Sequence, residues 1–134
     1  MKPREVLARH GSSFHMASRL LRRQDADDVA TLYAVCRLID DIADESANGA
    51  GQIDPFVEAL TDDRPEAVPV DGFAALVRRR QMALAPLVVL ARTAAQEARH
   101  GRLIETETEL IDYCYGVAGT VGELMCPLLG ADPV

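Results

Sequence analysis

Tryptophan is absent from this chain of 134 residues, and cysteine occurs only three times. Cys36, Cys114 and Cys126 form no CxxC pair, so neither a disulfide framework nor a zinc site is indicated. A reducing, cytoplasmic setting is the simplest expectation. The longest apolar run, ALAPLVVLA, covers nine residues, whereas a membrane-spanning helix needs about 20. We therefore expect a cytoplasmic protein without a transmembrane helix, and contact with a bilayer surface stays open.

A surplus of basic residues is also missing. The chain has 14 Lys and Arg against 21 Asp and Glu, which gives a formal net charge of −7. Because phosphate backbones are met with a surplus of Lys and Arg, no nucleic-acid partner is expected. The length fits one ordinary domain with its own hydrophobic core.

Helical periodicity dominates, and no stretch alternates apolar and polar residues over the length of a strand. Seven helices are expected. The first covers residues 3–10, and the second is short and has Ser12 or Ser13 as its N-cap. The others cover residues 25–46, residues 55–60, a segment that begins at 73, a segment with Pro86 in its first turn that ends at 100, and a segment from Thr106 to Pro127 or beyond. NGAGQ is interpreted as a glycine-rich helix stop and TDDRPEAVPVDG as a surface loop. Thr106 and Glu109 have the spacing of a capping box. The predicted class is an all-α helical bundle.

The segment CRLIDDIADE collects negative charge near the end of its helix. An apolar stripe runs beside it and is expected to face the core, with Cys36 among its members: Val29, Leu32, Cys36, Ile39 and Ala43. The adjacent line holds Tyr33, Arg37, Asp40 and Asp44, flanked by Asp41 and Glu45. Asp40 and Asp44 therefore point the same way from successive turns.

Two interpretations of this acidic line stay open. It is either a solvated face on which Arg37 pairs with Asp41, or a cation site. Acidic side chains in the last turns oppose the helix dipole, at about 0.3–1 kcal/mol each, and this pair lies beside the apolar stripe. Carboxylates without His or Cys suit Mg²⁺, which takes one or two protein carboxylates and finds other oxygens on water and substrate phosphates. The spacing thus favours Asp40 and Asp44 as Mg²⁺ ligands at a phosphate or diphosphate site.

The last predicted helix carries three glycines at three-residue spacing, Gly116, Gly119 and Gly122. A glycine inside a helix costs about 1 kcal/mol relative to alanine, so each needs a reason. Close helix–helix approach and space for a ligand are both open. An apolar slot could be lined by side chains that recur every four residues, namely Tyr113, Val117, Val121 and Met125.

Other motifs are weaker. EARH, from Glu97 to His100, has the ExxH spacing of di-iron bundles, but those need a second copy. His10 and His15 flank the GSSF turn and are expected to be surface or capped histidines.

Three blocks, SSFHMASRLL, LYAVCRLIDDIADE and YCYGVAGTVGELMCPLLG, resemble the squalene/phytoene synthase family in order and approximate spacing. They span residues 11–130 and cover about half the chain. The resemblance implies the first half of an isoprenoid-synthase-type fold, with residues 1–134 as a single all-α domain that is the N-terminal part of a larger prenyltransferase domain.

The resemblance also implies roles. Asp40 and Asp44 would be catalytic residues that hold Mg²⁺ against a prenyl diphosphate, and Arg37 would contact the diphosphate. The remaining substrate-binding residues would be Ser13, Phe14, Tyr33, Tyr113, Val117, Val121, Gly122 and Met125. The implied reaction is head-to-head condensation of two farnesyl or geranylgeranyl diphosphates through a cyclopropylcarbinyl diphosphate.

The second aspartate-rich motif of this family has no counterpart after Asp44 in the present sequence. We therefore expect the other half-site to come from a longer form of the protein, a second chain or a second copy. A non-catalytic helical scaffold or assembly factor with the same fold is the alternative function, and a simple acidic interaction domain is a third.

Overall fold

The computed structural model describes residues 1–45 and 48–131. Its elements in chain order are α1 Pro3–His10, α2 Ser12–Ser18, α3 Arg23–Glu45, α4 Gly49–Thr61, a short 3₁₀ turn Pro65–Ala67, α5 Phe73–Arg80, α6 Ala85–His100, α7 Glu107–Cys114, a π-helical segment Tyr115–Gly119 and α8 Thr120–Leu128. The all-α prediction is confirmed. Among the helices in the described ranges, none combines the length and apolar character needed to cross a bilayer.

Several helix boundaries follow from the sequence signals. α1 ends at Gly11, and α6 carries Pro86 in its first turn and ends at Gly101 with a φ of 70°. At the start of α7, the Thr106 side chain accepts from the backbone of Glu109 while the Glu109 carboxylate accepts from the backbone of Thr106. The predicted capping box is therefore confirmed.

The predicted serine cap is wrong. Gly11 precedes the first residue of α2, and no side chain caps this helix. The end predicted for α3 near Ser46 falls outside the described residues.

The interpretation of NGAGQ as a helix stop is also wrong, because α4 begins at Gly49 and continues to Thr61. A Cβ at Gly49 would lie 2.6 Å from the carbonyl oxygen of Ala43 and 2.7 Å from that of Ile42. Glycine is therefore needed here for close approach to the end of α3.

The segment 62–72 is more buried than a surface loop. Pro65, Val68 and Val70 are buried, and both valines belong to the core. Gly72 has a φ of 81° and leads into α5. Pro65 and Pro69 lie between α4 and α5, as the predicted loop requires, but this connection is partly buried and is not a surface loop.

The core forms where α3 packs against α4 and α6, with α4 and α6 also in contact. Val29, Leu32 and Ile39 of the predicted stripe are buried, and Cys36 and Ala43 pack against the same cluster. Burial, and secondarily the charge of Asp40, raises the pKa of the Cys36 thiol to about 12. The apolar stripe of α3 is confirmed as a core-facing surface.

A buried carboxylate fastens the beginning of α3 to α5. Asp28 is 2% exposed and accepts hydrogen bonds from Arg79, Arg80 and Gln24. Burial alone would raise the pKa of Asp28, but the bonds from the two arginines and the glutamine outweigh it and lower the pKa. Arg80 also binds Asp25 at 2.8 Å. This network fixes the orientation of the helix that carries the acidic line.

The last predicted helix is interrupted by the π-helical segment. Backbone dihedrals at Cys114 and Thr120 stay in the right-handed helical region, so the chain continues without a break. A Cβ at Gly116 would lie within 2.9 Å of the Thr93 Cγ2 on α6. Gly116 therefore serves close helix–helix approach, which is one of the two explanations predicted for these glycines.

Candidate functional site

The acidic line of α3 lies at the surface, beside the buried stripe. Asp40 and Asp44 are exposed, whereas Tyr33 and Arg37 are half-buried. The one-turn spacing that the sequence predicts is confirmed by the continuous helix Arg23–Glu45. Two carboxylates therefore project from successive turns of a helix whose other side is held in the core.

Negative charge at Asp40 is only partly compensated. Desolvation by the surrounding protein raises the pKa of Asp40, and the charge of Asp44 raises it further. Arg37 opposes this rise, while Asp41 and Glu97 add to it. Glu97 lies on α6, so a second helix brings negative charge to the same place. A bound cation would relieve this repulsion.

Arg37 binds Asp41, with 2.8 Å between Nη2 and Oδ1. The pair that the solvated-face interpretation expects is thus present. However, the Nε of Arg37 is buried and has no hydrogen-bond partner among the described residues. The guanidinium keeps a donor that its carboxylate partner does not satisfy.

A groove of about 320 Å³ opens between α1 and α3 beside this guanidinium. Arg37 and Asp41 form one wall, and Lys2, Glu5 and Arg9 lie on the other. Lys2 pairs with Glu5 and Arg37 pairs with Asp41, so Arg9 is the lining arginine without an ion pair among the described residues. His10 is exposed, which confirms the surface role that the sequence predicts for it. Arg9 was not predicted, and the signal that could have indicated it is its position just before the GSSF turn.

The GSSF turn approaches the acidic helix through aromatic rings. The centroids of Phe14 and Tyr33 lie 6.2 Å apart, with the planes tilted by 42°. Phe14 is 62% exposed and Ser13 is also exposed. A Cβ at Gly11 would lie 3.0 Å from the Tyr33 hydroxyl. The structure thus brings Phe14 and Tyr33 together on an open surface.

Tyr113 forms a cluster that the sequence did not predict. Its hydroxyl donates to Oε2 of Glu97 at 3.1 Å, and the guanidinium carbon of Arg102 lies 4.9 Å from its ring centroid. Arg102 also binds Glu97. Burial raises the pKa of Tyr113, and the hydrogen bond to Glu97 raises it further. These residues line a cavity of about 360 Å³ between α6 and α7.

Glu97 links this cluster to the acidic line, because its charge acts on Asp40 while its carboxylate accepts from Tyr113. The sequence presented Glu97 only as part of ExxH. The effect of Glu97 on Asp40 cannot be predicted from the sequence, because it depends on the packing of α6 against α3.

The residues predicted to line an apolar slot occupy one side of the π segment and α8. Val117, Val121 and Met125 are half-buried, and the latter two pack against the core. Gly122 is exposed, and a Cβ there would meet nothing within 4 Å. Unlike Gly116, this glycine is not explained by helix packing, so the explanation by space for a ligand stays open for it.

Metal ligation at this site rests on two carboxylates. Across residues 1–45 and 48–131, no group of three or more His, Cys, Asp or Glu side chains converges as a metal site would require. Asp40 and Asp44 fit a Mg²⁺ that keeps waters and takes further oxygens from a phosphate ligand. They do not fit a site built from protein ligands alone.

Comparison with known proteins shows which proteins this chain is similar to. The family model described as squalene/phytoene synthase matches residues 7–134. Among curated proteins, the chain is 32% identical over 136 residues to 4,4'-diapophytoene synthase of Staphylococcus haemolyticus, covering 96% of this chain and 47% of that protein. It is 31% identical over 128 residues to phytoene synthase of Thermus thermophilus, covering 93% and 44%.

A third relative, phytoene synthase of Cereibacter sphaeroides, is 35% identical over 140 residues, covering 94% of this chain and 39% of the relative. Among solved structures, a dehydrosqualene synthase in complex with ligand superposes with a TM-score of 0.80 at 28% identity, covering 94% and 45%. The chain therefore spans about half the length of the relatives it matches.

Proposed function

The chain belongs to the squalene/phytoene synthase family, and on that premise we propose that it supplies the first acidic helix of a prenyltransferase site. The observation that carries the proposal is the pair Asp40 and Asp44 on successive turns of α3, where the pKa of Asp40 is raised by desolvation and by its neighbour. The proposed reaction is head-to-head condensation of two farnesyl or geranylgeranyl diphosphates through a cyclopropylcarbinyl diphosphate to a C30 or C40 product.

Each part of the site has a physical task in this reaction. Asp40 and Asp44 would hold Mg²⁺, and the half-buried Arg37 would contact the diphosphate. When bound, Mg²⁺ would stabilise the negative charge that builds on the departing diphosphate. Arg37 donors aimed at that charge would add to this effect.

The apolar side of the site would bind the prenyl chain. Val117, Val121 and Met125 would exclude water from the allylic cation, which water would otherwise quench. Phe14 and Tyr33 would border the diphosphate end, with Ser13 beside them, and Tyr113 would form part of the cavity wall. The open space at Gly122 supports a prenyl chain passing over that position.

A second acidic surface would face Asp40 across the cavity. We infer that further residues of the protein, a second chain or a second copy provide it, since the relatives are about twice as long. Location in the cytoplasm, with contact to a membrane surface, suits a polar diphosphate substrate and a hydrocarbon product.

The first test measures binding of farnesyl diphosphate by calorimetry with and without Mg²⁺. We expect Mg²⁺-dependent binding that Asp40→Ala and Asp44→Ala abolish, while Asp62→Ala, at an exposed carboxylate next to Arg64, leaves it unchanged. Binding that does not depend on Mg²⁺, or that is unchanged by both α3 substitutions, would contradict the proposal.

The second test asks for the product. A preparation that also supplies the second half of the site should form a C30 or C40 product, and Asp40→Ala should abolish it. The non-catalytic scaffold is the alternative function, and a complete assembly that binds no diphosphate would favour it.

A further inference from the structure

Three arginines near the beginning of α3 form no ion pair with a carboxylate of the described residues. In the described part of the chain, the basic residues without an ion pair are Arg9, Arg19, Arg22, Arg23 and Arg92. Arg19, Arg22 and Arg23 lie within five consecutive residues. Residues 6–24 contain no Asp or Glu, although the chain as a whole has a net charge of −7. Positive charge is therefore concentrated in this segment, although the chain as a whole is acidic.

The nearest carboxylates are already engaged elsewhere. Asp25 binds Arg80, and Asp27 binds Arg4. Asp28 is buried beneath Arg79 and Arg80. The three arginines are exposed and stay uncompensated even though acidic residues follow them directly in sequence.

Two large apolar side chains project into solvent at the same place. Met16 is 69% exposed and Leu20 is 90% exposed. Met16 belongs to α2, and backbone hydrogen bonds from Arg19 to Met16 and from Leu20 to Ala17 continue its turns. Ser18 is buried on the opposite side, so Met16 and Leu20 are held outward by the fold.

We propose that the patch Met16, Arg19, Leu20, Arg22 and Arg23 docks the protein on an anionic lipid bilayer. Arginines that lack partners suit lipid phosphates, and exposed Met and Leu suit the boundary between headgroups and acyl chains. A nucleic acid or an acidic protein would use the arginines but would not explain Leu20. The proposal extends the proposed function, because a hydrocarbon product needs an apolar destination.

The experiment measures sedimentation of the full chain with phosphatidylcholine vesicles, with and without phosphatidylglycerol. We expect binding only to the anionic vesicles, and weaker binding as salt is raised. Arg22→Gln and Arg23→Gln should each weaken binding about fivefold. Arg92→Gln is the matched control, since Arg92 is exposed and makes no ion pair within the described ranges.

The apolar half of the patch has its own control. Leu20→Ser should weaken binding at least about fivefold, whereas Leu103→Ser, at a residue 77% exposed on another surface, should not. All five substituted positions are exposed, so these variants keep the core intact.

Equal binding to neutral vesicles, no binding to either, or equal losses with Arg22→Gln and Arg92→Gln would overturn the proposal. Unchanged binding in Leu20→Ser would also overturn it, because attraction by charge alone fits an acidic protein or a nucleic acid as well. Asp40→Ala should leave vesicle binding unchanged. Failure of the docking surface is thereby distinguished from failure of the diphosphate site.

Discussion

The two glycines Gly116 and Gly122 should respond in opposite ways to the same substitution. Gly116→Ala places a Cβ 2.9 Å from Cγ2 and 3.1 Å from Cβ of Thr93, and the Thr93 hydroxyl is held by the carbonyl of Val89 at 2.9 Å. Alanine gains about 1 kcal/mol over glycine in a helix. Overpacking costs about 1–3 kcal/mol. We expect a net loss of about 1 kcal/mol, because Thr93 cannot turn away without breaking its hydrogen bond.

Gly122→Ala is the matched control, because its Cβ would meet nothing within 4 Å. Only the gain in helix propensity remains, so the variant should be more stable by about 1 kcal/mol. Urea unfolding followed by circular dichroism measures both free energies of unfolding. Adding Thr93→Ala to Gly116→Ala should recover part of the loss, as a favourable coupling energy. Equal stability of the two single variants would refute the assignment of Gly116 to helix packing.

Three further predictions concern single contacts. Glu97→Gln should lower the pKa of Tyr113 towards its ordinary value, because the neighbouring charge is removed while the burial of Tyr113 is unchanged. Ultraviolet titration measures this pKa in a protein whose other two tyrosines are replaced by Phe. An unchanged pKa would contradict the contact between Tyr113 and Glu97. Asp28→Asn should cost about 2 kcal/mol at neutral pH, because Arg79 loses a buried partner but is itself partly solvated. Because the pKa of Asp28 is lowered in the folded protein, its contribution to the free energy of unfolding is present above about pH 4 and is lost as the pH falls through the folded pKa. The difference in stability between the parent protein and Asp28→Asn should therefore shrink on acidification. A constant difference would argue against a charged Asp28. Thr106→Ala should cost about 1 kcal/mol in urea unfolding, whereas no loss would mean that the capping box contributes nothing.

Local signals in the sequence predicted those parts of the fold that local physics decides. The stripe Val29, Leu32 and Ile39 faces the core because helical spacing alone places these residues together. Thr106 and Pro86 mark helix starts because each acts within one turn of its own position. These predictions required no knowledge of neighbouring helices.

Features that depend on tertiary approach were not accessible in the same way. Gly49 resembles a helix stop in the sequence, but it is the first residue of α4. Glycine is needed there because the carbonyls of α3 leave no room for a side chain. Val68 and Val70 lie among prolines and polar residues, and only the fold shows that they close the core.

The candidate site divides along the same line. The one-turn spacing of Asp40 and Asp44 could be predicted because both belong to one helix. The sequence presented Glu97 only as part of ExxH, because its effect on Asp40 exists only once α6 packs on α3. His10 is exposed, as the sequence predicts. Binding roles for the predicted residues stay predictions until ligand binding is measured.

The π-helical segment Tyr115–Gly119 acts as a one-residue phase adjustment in the rod that runs from Glu107 to Leu128. Each residue of a regular helix turns the chain by roughly 100°. Deleting one residue within this segment should therefore restore regular winding while the sequence on both sides stays intact. Val121 and Met125, which are predicted to line the slot, would then keep their register with α3, because the deleted residue is the surplus one. A single-residue deletion at this point is consequently the length change that α8 tolerates best.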